Sequence, residues 1–552
     1  MKKSLQPVLV VIFALMAVSF IKSDKPDIRI EDLNHAEAVL GLTFTVQEKD
    51  SMLAGLTDNV EAYQAIRNYP LSNDIPPALI FNPIPVDFKM DRVKKPIQWA
   101  LPEDVELPEQ ENDLAFYSIL ELASLLKNRK ITSRKLTDFF IGRLKTYGDD
   151  LHCIITITED RAIQQAEKAD QEIAAGNYKG PLHGIPYGVK DLLAVEGYPT
   201  TWGATPYKDQ YIDETATVVR KLDEAGGILV VKLTLGALAW GDVWYGGITR
   251  NPWNLDQGSS GSSAGSASAT AAGLVPYAIG SETLGSIVSP SNRCGTTGLR
   301  PSYGRVSRSG AMALSWSMDK LGPICRSAID CAIVFESILG ADATDQTLID
   351  APYNFDMDMD IRTLKIGYLK DLFAQNENNQ VNDTRMLEVF RAMGIELQPV
   401  SLPENIPSGS LSIILVAEAA AAFDALTRSG EDSLLVRQIK NAWPNVFRQS
   451  RFIPAVEYIN ANRIRHQLVQ EMHAVLSQYD AIITPSFGGE QLLITNLTGH
   501  PCVVLPNGFN NRESPTSFSI IGNLFEESKI LRVAMKYQEE TQFEEVHPPL
   551  FQ

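Results

Sequence analysis

Cysteine and histidine are scarce in this chain, with five and seven residues among 552. Cys153, Cys294, Cys325, Cys331 and Cys502 form no CxxC pair, and His183 and His500 stand isolated, which leaves no zinc-type ligand spacing. An odd count leaves at least one thiol unpaired, and the expected state is five small buried hydrophobes rather than a disulfide framework. Basic residues are also in the minority. Lys+Arg number 49 against 67 Asp+Glu, a formal net charge of -18. Such a surface repels polyphosphates, so no nucleic-acid partner is expected. Beyond the N-terminus no second long apolar run occurs, and no membrane span is expected in the mature chain.

What is present is a globular composition, 44% hydrophobic and 21% charged. Lys2 and Lys3 precede an apolar run from Val8 to Ile21, broken only at Ser19, with Ala17 and Ser19 at the spacing of an A-x-A cleavage site. Residues 1–22 are therefore expected to be a signal peptide, and the protein to be exported, periplasmic or extracellular. Residues 24–112 are expected to form an N-terminal extension. Ile30 to Leu40 and Asp50 to Ile66 carry helical spacing; then eight prolines from Pro70 to Pro108 impose extended chain that wraps the main domain. The main domain is expected over residues 113–552. Buried strands are expected at Ile228–Val231, Val275–Ile279, Ala481–Ile483 and Cys502–Leu505, and helices at Thr217–Ala225, Val456–Leu476 and Lys529–Tyr537. Continuous apolar strands between helices imply an α/β fold with a sheet covered on both faces.

The most informative stretch runs from Gly258 to Gly273 and is built of Gly, Ser, Ala and Thr. A flexible linker would have that composition. Its alanine-rich half, however, is expected to be a helix starting near Ser262 or Ser263 and stopping at Gly273, with small side chains that let it lie close to the sheet. Past the next strand comes Gly280-Ser-Glu-Thr-Leu-Gly-Ser286, a glycine-flanked turn suited to an exposed nucleophile and to N–H groups aimed at an oxyanion. Upstream, Gly184-Ile-Pro-Tyr-Gly-Val-Lys-Asp191 places Lys190 at the end of an apolar segment. It is either a snorkelling edge residue or a buried amine with a depressed pKa, and only the second acts as a base near neutral pH.

Together these segments resemble the amidase signature family. The resemblance is carried by Asn251 to Asp256, Gly261-Ser-Ser-Ala-Gly-Ser266, Ala271 to Pro276, Gly285-Ser-Ile287 and Gly298-Leu-Arg-Pro-Ser-Tyr-Gly-Arg-Val-Ser-Arg308. Outlying pieces are Leu222 to Lys232, Leu321-Gly-Pro323, Tyr479 to Pro485 and Gly499-His-Pro501. The resemblance implies a large mixed β-sheet core and a catalytic trio of Lys190, Ser262 and Ser286. It also implies a cis peptide bond at Ser262 and an acyl-enzyme on Ser286, twenty-four residues downstream. The implied oxyanion donors are the backbone N–H groups of Thr283, Leu284 and Gly285, with that of Ser286 itself. Leu235, Gly236, Ala237 and Ser263 are the expected substrate-binding residues. No metal or cofactor is required, and the implied partner is a small-molecule or peptide amide. The chain departs from the family at two positions. Many members have glycine where it has Leu284, which narrows the pocket, and aspartate where it has Glu282. The segment from Lys232 to Gly241 lacks the Asp-Glu-Phe common in tRNA-dependent amidotransferase subunits and makes the pocket wall more apolar.

Rival patterns are weaker. Gly261-Ser-Ser-Ala-Gly265 also fits the G-x-S-x-G elbow of α/β-hydrolases, but a polar segment, not a buried strand, precedes it. Ser124-Leu-Leu-Lys127 and Ser317-Met-Asp-Lys320 match S-x-x-K with no S-D-N or K-T-G companion. The A subunit of an aminoacyl-tRNA amidotransferase shares the whole core, yet the export signal and acidic balance oppose it. A non-catalytic amide-binding homologue is opposed by the intact trio.

Overall fold

The computed structural model describes residues 28–552, so the expected signal peptide lies outside the described residues. The chain divides into two units, one ending at Ser72 and one spanning Asn73–Gln552. The proline-rich part of the expected extension, residues 73–112, groups with the second. In the first unit the helices Ile30–Leu40 and Val46–Asn68 coincide with or enclose the expected ones. Thr45 caps the longer helix: its hydroxyl accepts from the Glu48 N–H, and the Glu48 carboxylate accepts from the Thr45 N–H in return.

From residue 70 to Gln110 the chain forms neither helix nor strand, because its prolines lack the N–H groups that either would use. The second unit is then built on one mixed sheet. Its strands are β1 Ile154–Ile157, β2 Pro186–Lys190, β3 Ile228–Leu233, β4 Tyr277–Glu282, β5 Thr297–Arg300 and β6 Lys320–Cys325, followed by β7 Ile366–Tyr368, β8 Leu397–Pro399, β9 Ala481–Pro485, β10 Cys502–Phe509 and β11 Pro515–Gly522. Their order across the sheet is β1-β3-β2-β4-β6-β5-β10-β11-β9-β7-β8. β2 is parallel to both β3 and β4, and β7 to both β8 and β9, while the remaining pairs are antiparallel. Every residue of β2, β3, β4, β5 and β6 is buried. Along β4, Tyr277 and Ile279 enter one hydrophobic cluster and Ala278 another, so the sheet is covered on both faces as expected. All five cysteines are free and buried.

One boundary differs in a way that matters for the site. The apolar run suggests a strand over Val275–Ile279 and a turn from Gly280. The strand instead runs to Glu282, because Gly280, Ser281 and Glu282 continue the antiparallel pairing with Gly322, Leu321 and Lys320. Polarity does not end this strand, since the Glu282 carboxylate has buried partners of its own. The turn therefore begins at Thr283.

Candidate active site

Three segments converge at the end of β4. The first is the turn 283–287, which leads into the helix Val288–Cys294. Gly285 adopts φ 79°, a left-handed value that a side chain rarely adopts, and this lets the chain reverse between strand and helix. The Glu282 carboxylate reaches across the turn. It accepts from the N–H groups of Ile287 at 2.8 Å and Val288 at 3.0 Å, from Arg300 at 2.8 Å and from Asn496 at 2.9 Å. Burial pushes this carboxyl up, but Arg300 and these donors overcome it and hold the pKa at about 2.

The second segment is the loop 259–263 before the helix Ala264–Ala271. The Gly261–Ser262 peptide bond is cis, as the resemblance implied. A side chain at Gly261 would lie 1.9 Å from the Gly241 carbonyl oxygen, so only glycine fits there. All eight residues of the helix are buried. At Gly265 even a Cβ would sit 2.6 Å from Thr234, which shows how closely the small side chains let the helix approach the sheet. The N–H of Ser263 donates to the Ser286 carbonyl at 3.1 Å, and the Ser260 and Ser289 hydroxyls pair at 2.7 Å, so loop and turn are stitched together.

The third segment is the end of β2, where Lys190 is fully buried. Its Nζ lies 2.8 Å from Ser262 Oγ, 2.8 Å from Ser281 Oγ and 3.1 Å from Ser263 Oγ. Among the described residues no carboxylate pairs with it. Burial lowers its pKa well below the usual lysine value, opposed only in part by Asp319 and Glu282. Of the two readings open for Lys190, the snorkelling edge residue is excluded. Ser286 is 8% exposed, against 1% for Ser262 and none for Lys190, so the expected nucleophile is the most reachable of the trio. The Ser286 hydroxyl has no hydrogen-bond partner among the described residues.

The other expected residues fall in different places. Thr283 donates its hydroxyl to Asp319 Oδ1 at 2.6 Å, and Asp319 Oδ2 accepts from the N–H groups of Leu314 and Ser315. Leu284 is 37% exposed beside the turn. Ser263 is tied inward: its hydroxyl donates to the Ser281 carbonyl at 3.0 Å. Leu235 is fully buried in the core, and Gly236 closes a tight turn in which a Cβ would meet the Gly241 carbonyl oxygen at 2.1 Å. Ala237 opens a short 3-10 turn and is half-buried. A cavity of about 400 Å³ meets the site at Ser281 and Thr283, and Ala239 is the member of the 233–240 segment on its wall. Sequence reasoning does not find Ser281, Asp319, Arg300 or Asn496. Ser281, Arg300 and Asp319 stand inside motifs whose other residues draw the reading, and Asn496 carries no local signal.

The S-x-x-K matches are engaged elsewhere. Ser124 donates to the Pro102 carbonyl, and Ser317 to Glu418. The elbow pattern at Ser263 follows the strand Asn254–Gly258, which pairs in a two-stranded ribbon outside the main sheet.

Breaking the Glu282–Arg300 pair leaves a buried guanidinium without its counter-charge. Glu282→Gln is expected to destabilise the protein by about 3–5 kcal/mol in urea unfolding at pH 7. A carboxyl held below its unfolded pKa stabilises above that pKa and loses the contribution as pH falls. The gap between wild type and variant is thus expected to shrink between pH about 4.5 and about 2. A gap that stays constant through this window would contradict the assignment.

The family model described as Amidase matches residues 135–494. The A subunit of the glutamyl-tRNA(Gln) amidotransferase of Nitrosomonas europaea is 32% identical over 479 residues, covering 78% of this chain and 98% of that relative. The native peptide amidase from Stenotrophomonas maltophilia superposes with a TM-score of 0.70 at 26% identity, covering 78% of this chain and 98% of that one. A bacterial aryl acylamidase of the amidase signature enzymes shares the fold, with a TM-score of 0.70 at 22% identity and coverage of 79% and 99%. The stitched turn, the cis-bonded serine loop and the buried lysine thus sit within a shared core, and the chain belongs to the amidase signature family.

Proposed function

We propose that this protein is an amidase that hydrolyses a linear carboxylic amide to a carboxylate and an amine or ammonia through an acyl-enzyme on Ser286. The observation that carries this reading is an unpaired, buried Lys190 within 2.8 Å of Ser262, on a loop stitched to the turn bearing Ser286. A lysine kept neutral by burial has a lone pair to offer. In the first step the Ser262 proton passes to Lys190 Nζ as Ser262 Oγ takes the Ser286 proton, and Ser286 Oγ attacks the amide carbonyl carbon. The Ser262–Ser286 contact closes as substrate orders the turn, since such catalytic hydrogen bonds often tighten only in the complex.

Negative charge on the carbonyl oxygen is met by the N–H groups of Thr283, Leu284, Gly285 and Ser286. The relay returns its proton to the leaving nitrogen, the C–N bond breaks and the amine departs. Water, deprotonated by the same relay, then attacks the ester and frees the carboxylate. The apolar 233–240 segment, through Ala239 on the cavity wall, favours an apolar acyl group. Export from the cytoplasm is part of this reading and rests on Lys2, Lys3 and the Val8–Ile21 run; the mass of the mature protein checks it.

Nucleophile partitioning tests the acyl-enzyme. An amide and an ester of the same acid, each hydrolysed in hydroxylamine, are expected to give one common hydroxamate-to-acid ratio. Different ratios would mean that no shared acyl intermediate forms. A second reading, the A subunit of an aminoacyl-tRNA amidotransferase, is favoured by the 32% identity to one such protein. The net charge of -18 and the missing Asp-Glu-Phe weigh against it. Co-purification with partner subunits and tRNA would reverse the preference.

A further inference from the structure

Part of the proline-rich segment lines the cavity that meets the site. Asn73, Pro76, Pro77, Leu79, Ile80 and Phe81 share the wall of this 400 Å³ cavity with Ser281, Thr283 and Ala239. Two anchors hold this strap. At one end Asn73 grips Ala313 through both side-chain polar atoms: Oδ1 accepts from the Ala313 N–H at 2.7 Å, and Nδ2 donates to the Ala313 carbonyl at 2.9 Å and to the Ala422 carbonyl at 3.5 Å. Ala313 lies between Met312 and Leu314, both on the cavity wall. At the other end the Phe81 ring lies edge-on to Tyr303 at 5.1 Å, and the Arg465 guanidinium sits 3.4 Å from its centroid. Arg465 is itself fixed by Ser317 and the Leu497 carbonyl.

Between the anchors the strap presents apolar surface that the protein leaves uncovered. Leu79 is 82% exposed and Ile80 48%, although both line the cavity. The two cavity arginines are already engaged, Arg308 by the Trp316 carbonyl, Tyr303 and Thr347, and Arg220 by Thr217. The same wall carries the carboxylates of Asp74, Glu214, Asp319 and Asp345. The family model begins at residue 135, so the strap lies outside the shared core.

We propose that residues 73–81 form one wall of the substrate site, and that the strap selects amides carrying a slender apolar substituent. The inference rests on the amidase reading only in taking this cavity as the substrate's. Prolines suit such a wall, because a chain with few conformations to lose holds its shape across a gap.

Binding is best read by calorimetry in a Ser286→Ala background, where turnover cannot interfere. The probes are hexanamide, which is slender, and two broad amides, anthracene-9-carboxamide and N-(9-anthryl)acetamide, which present the bulk on either side of the amide. Removing the wall in Leu79→Ala/Ile80→Ala is expected to tighten at least one broad amide tenfold or more, with hexanamide unchanged within about twofold. Releasing the hook in Asn73→Ala is expected to act in the same direction. Broad amides unchanged in both variants, or all three probes shifted alike, would overturn the proposal. Failure of the amidase reading shows separately, as turnover that survives Ser286→Ala.

Discussion

Ser286→Ala is expected to lower kcat/KM for any amide substrate by at least about 10⁴-fold, with substrate affinity nearly unchanged. The size of the loss follows from the absence of a substitute. The neighbouring hydroxyls are engaged: Ser260 and Ser289 pair with each other, and Ser263 donates to the Ser281 carbonyl. Ser262 is held against Lys190 on the cis-bonded loop and is almost inaccessible, at 1% exposure. What survives the substitution is the set of N–H donors of the turn, which polarise the carbonyl without supplying a nucleophile. Affinity is unaffected because the cavity meets the site at Ser281 and Thr283, so its walls stay intact. Initial rates measured beside calorimetric Kd values check both halves. A variant that loses affinity in step with rate would point to a collapsed turn rather than a missing nucleophile.

Lys190→Met is expected to cost about 10³-fold or more in kcat/KM and to erase the acid limb of the pH–rate profile. Methionine has a similar length but no basic amine to accept a proton. The sign of the pH effect follows from the direction of the shift. Burial lowers the lysine pKa, so the neutral, proton-accepting form prevails at lower pH than for an ordinary lysine, and kcat/KM rises as pH rises through that depressed pKa. The same direction bears on stability. The unfolded chain holds the lysine proton up to its ordinary pKa while the native state has shed it, so stability rises with pH between the two values. A wild-type profile flat on the acid side, or a Lys190→Met profile that keeps the acid limb, would contradict the role of Lys190.

Much of this site is legible in the sequence because its chemistry lies in short contiguous motifs. Lys190 ends an apolar run, Ser262 sits among glycines that close packing demands, and Ser286 follows a turn glycine at φ 79°. What cannot be read is what depends on distant partners. Sequence places the end of β4 too early, at Ile279, because the apolar run stops there and Gly280 reads as a turn; the pairing with β6 and the partners Arg300 and Asn496 that hold the Glu282 carboxylate lie far along the chain. Asp319, which fixes the Thr283 hydroxyl, lies inside a chance S-x-x-K match. The prolines of the strap predict an extended wrap, but its hook joins Asn73 to Ala313 across 240 residues. No periodicity records a contact of that length. Nor does spacing reveal that Ser281 lies as close to the lysine nitrogen as Ser262 does.

The most direct test of the central claim is covalent labelling. The folded protein is treated with an alkyl fluorophosphonate, digested and mapped by mass spectrometry. The account predicts a single adduct on Ser286, lost in Ser286→Ala and slowed about 10³-fold or more in Lys190→Met, where the fold is intact but the relay has no base. An adduct on another serine, or labelling of Ser286 at an undiminished rate without Lys190, would contradict it.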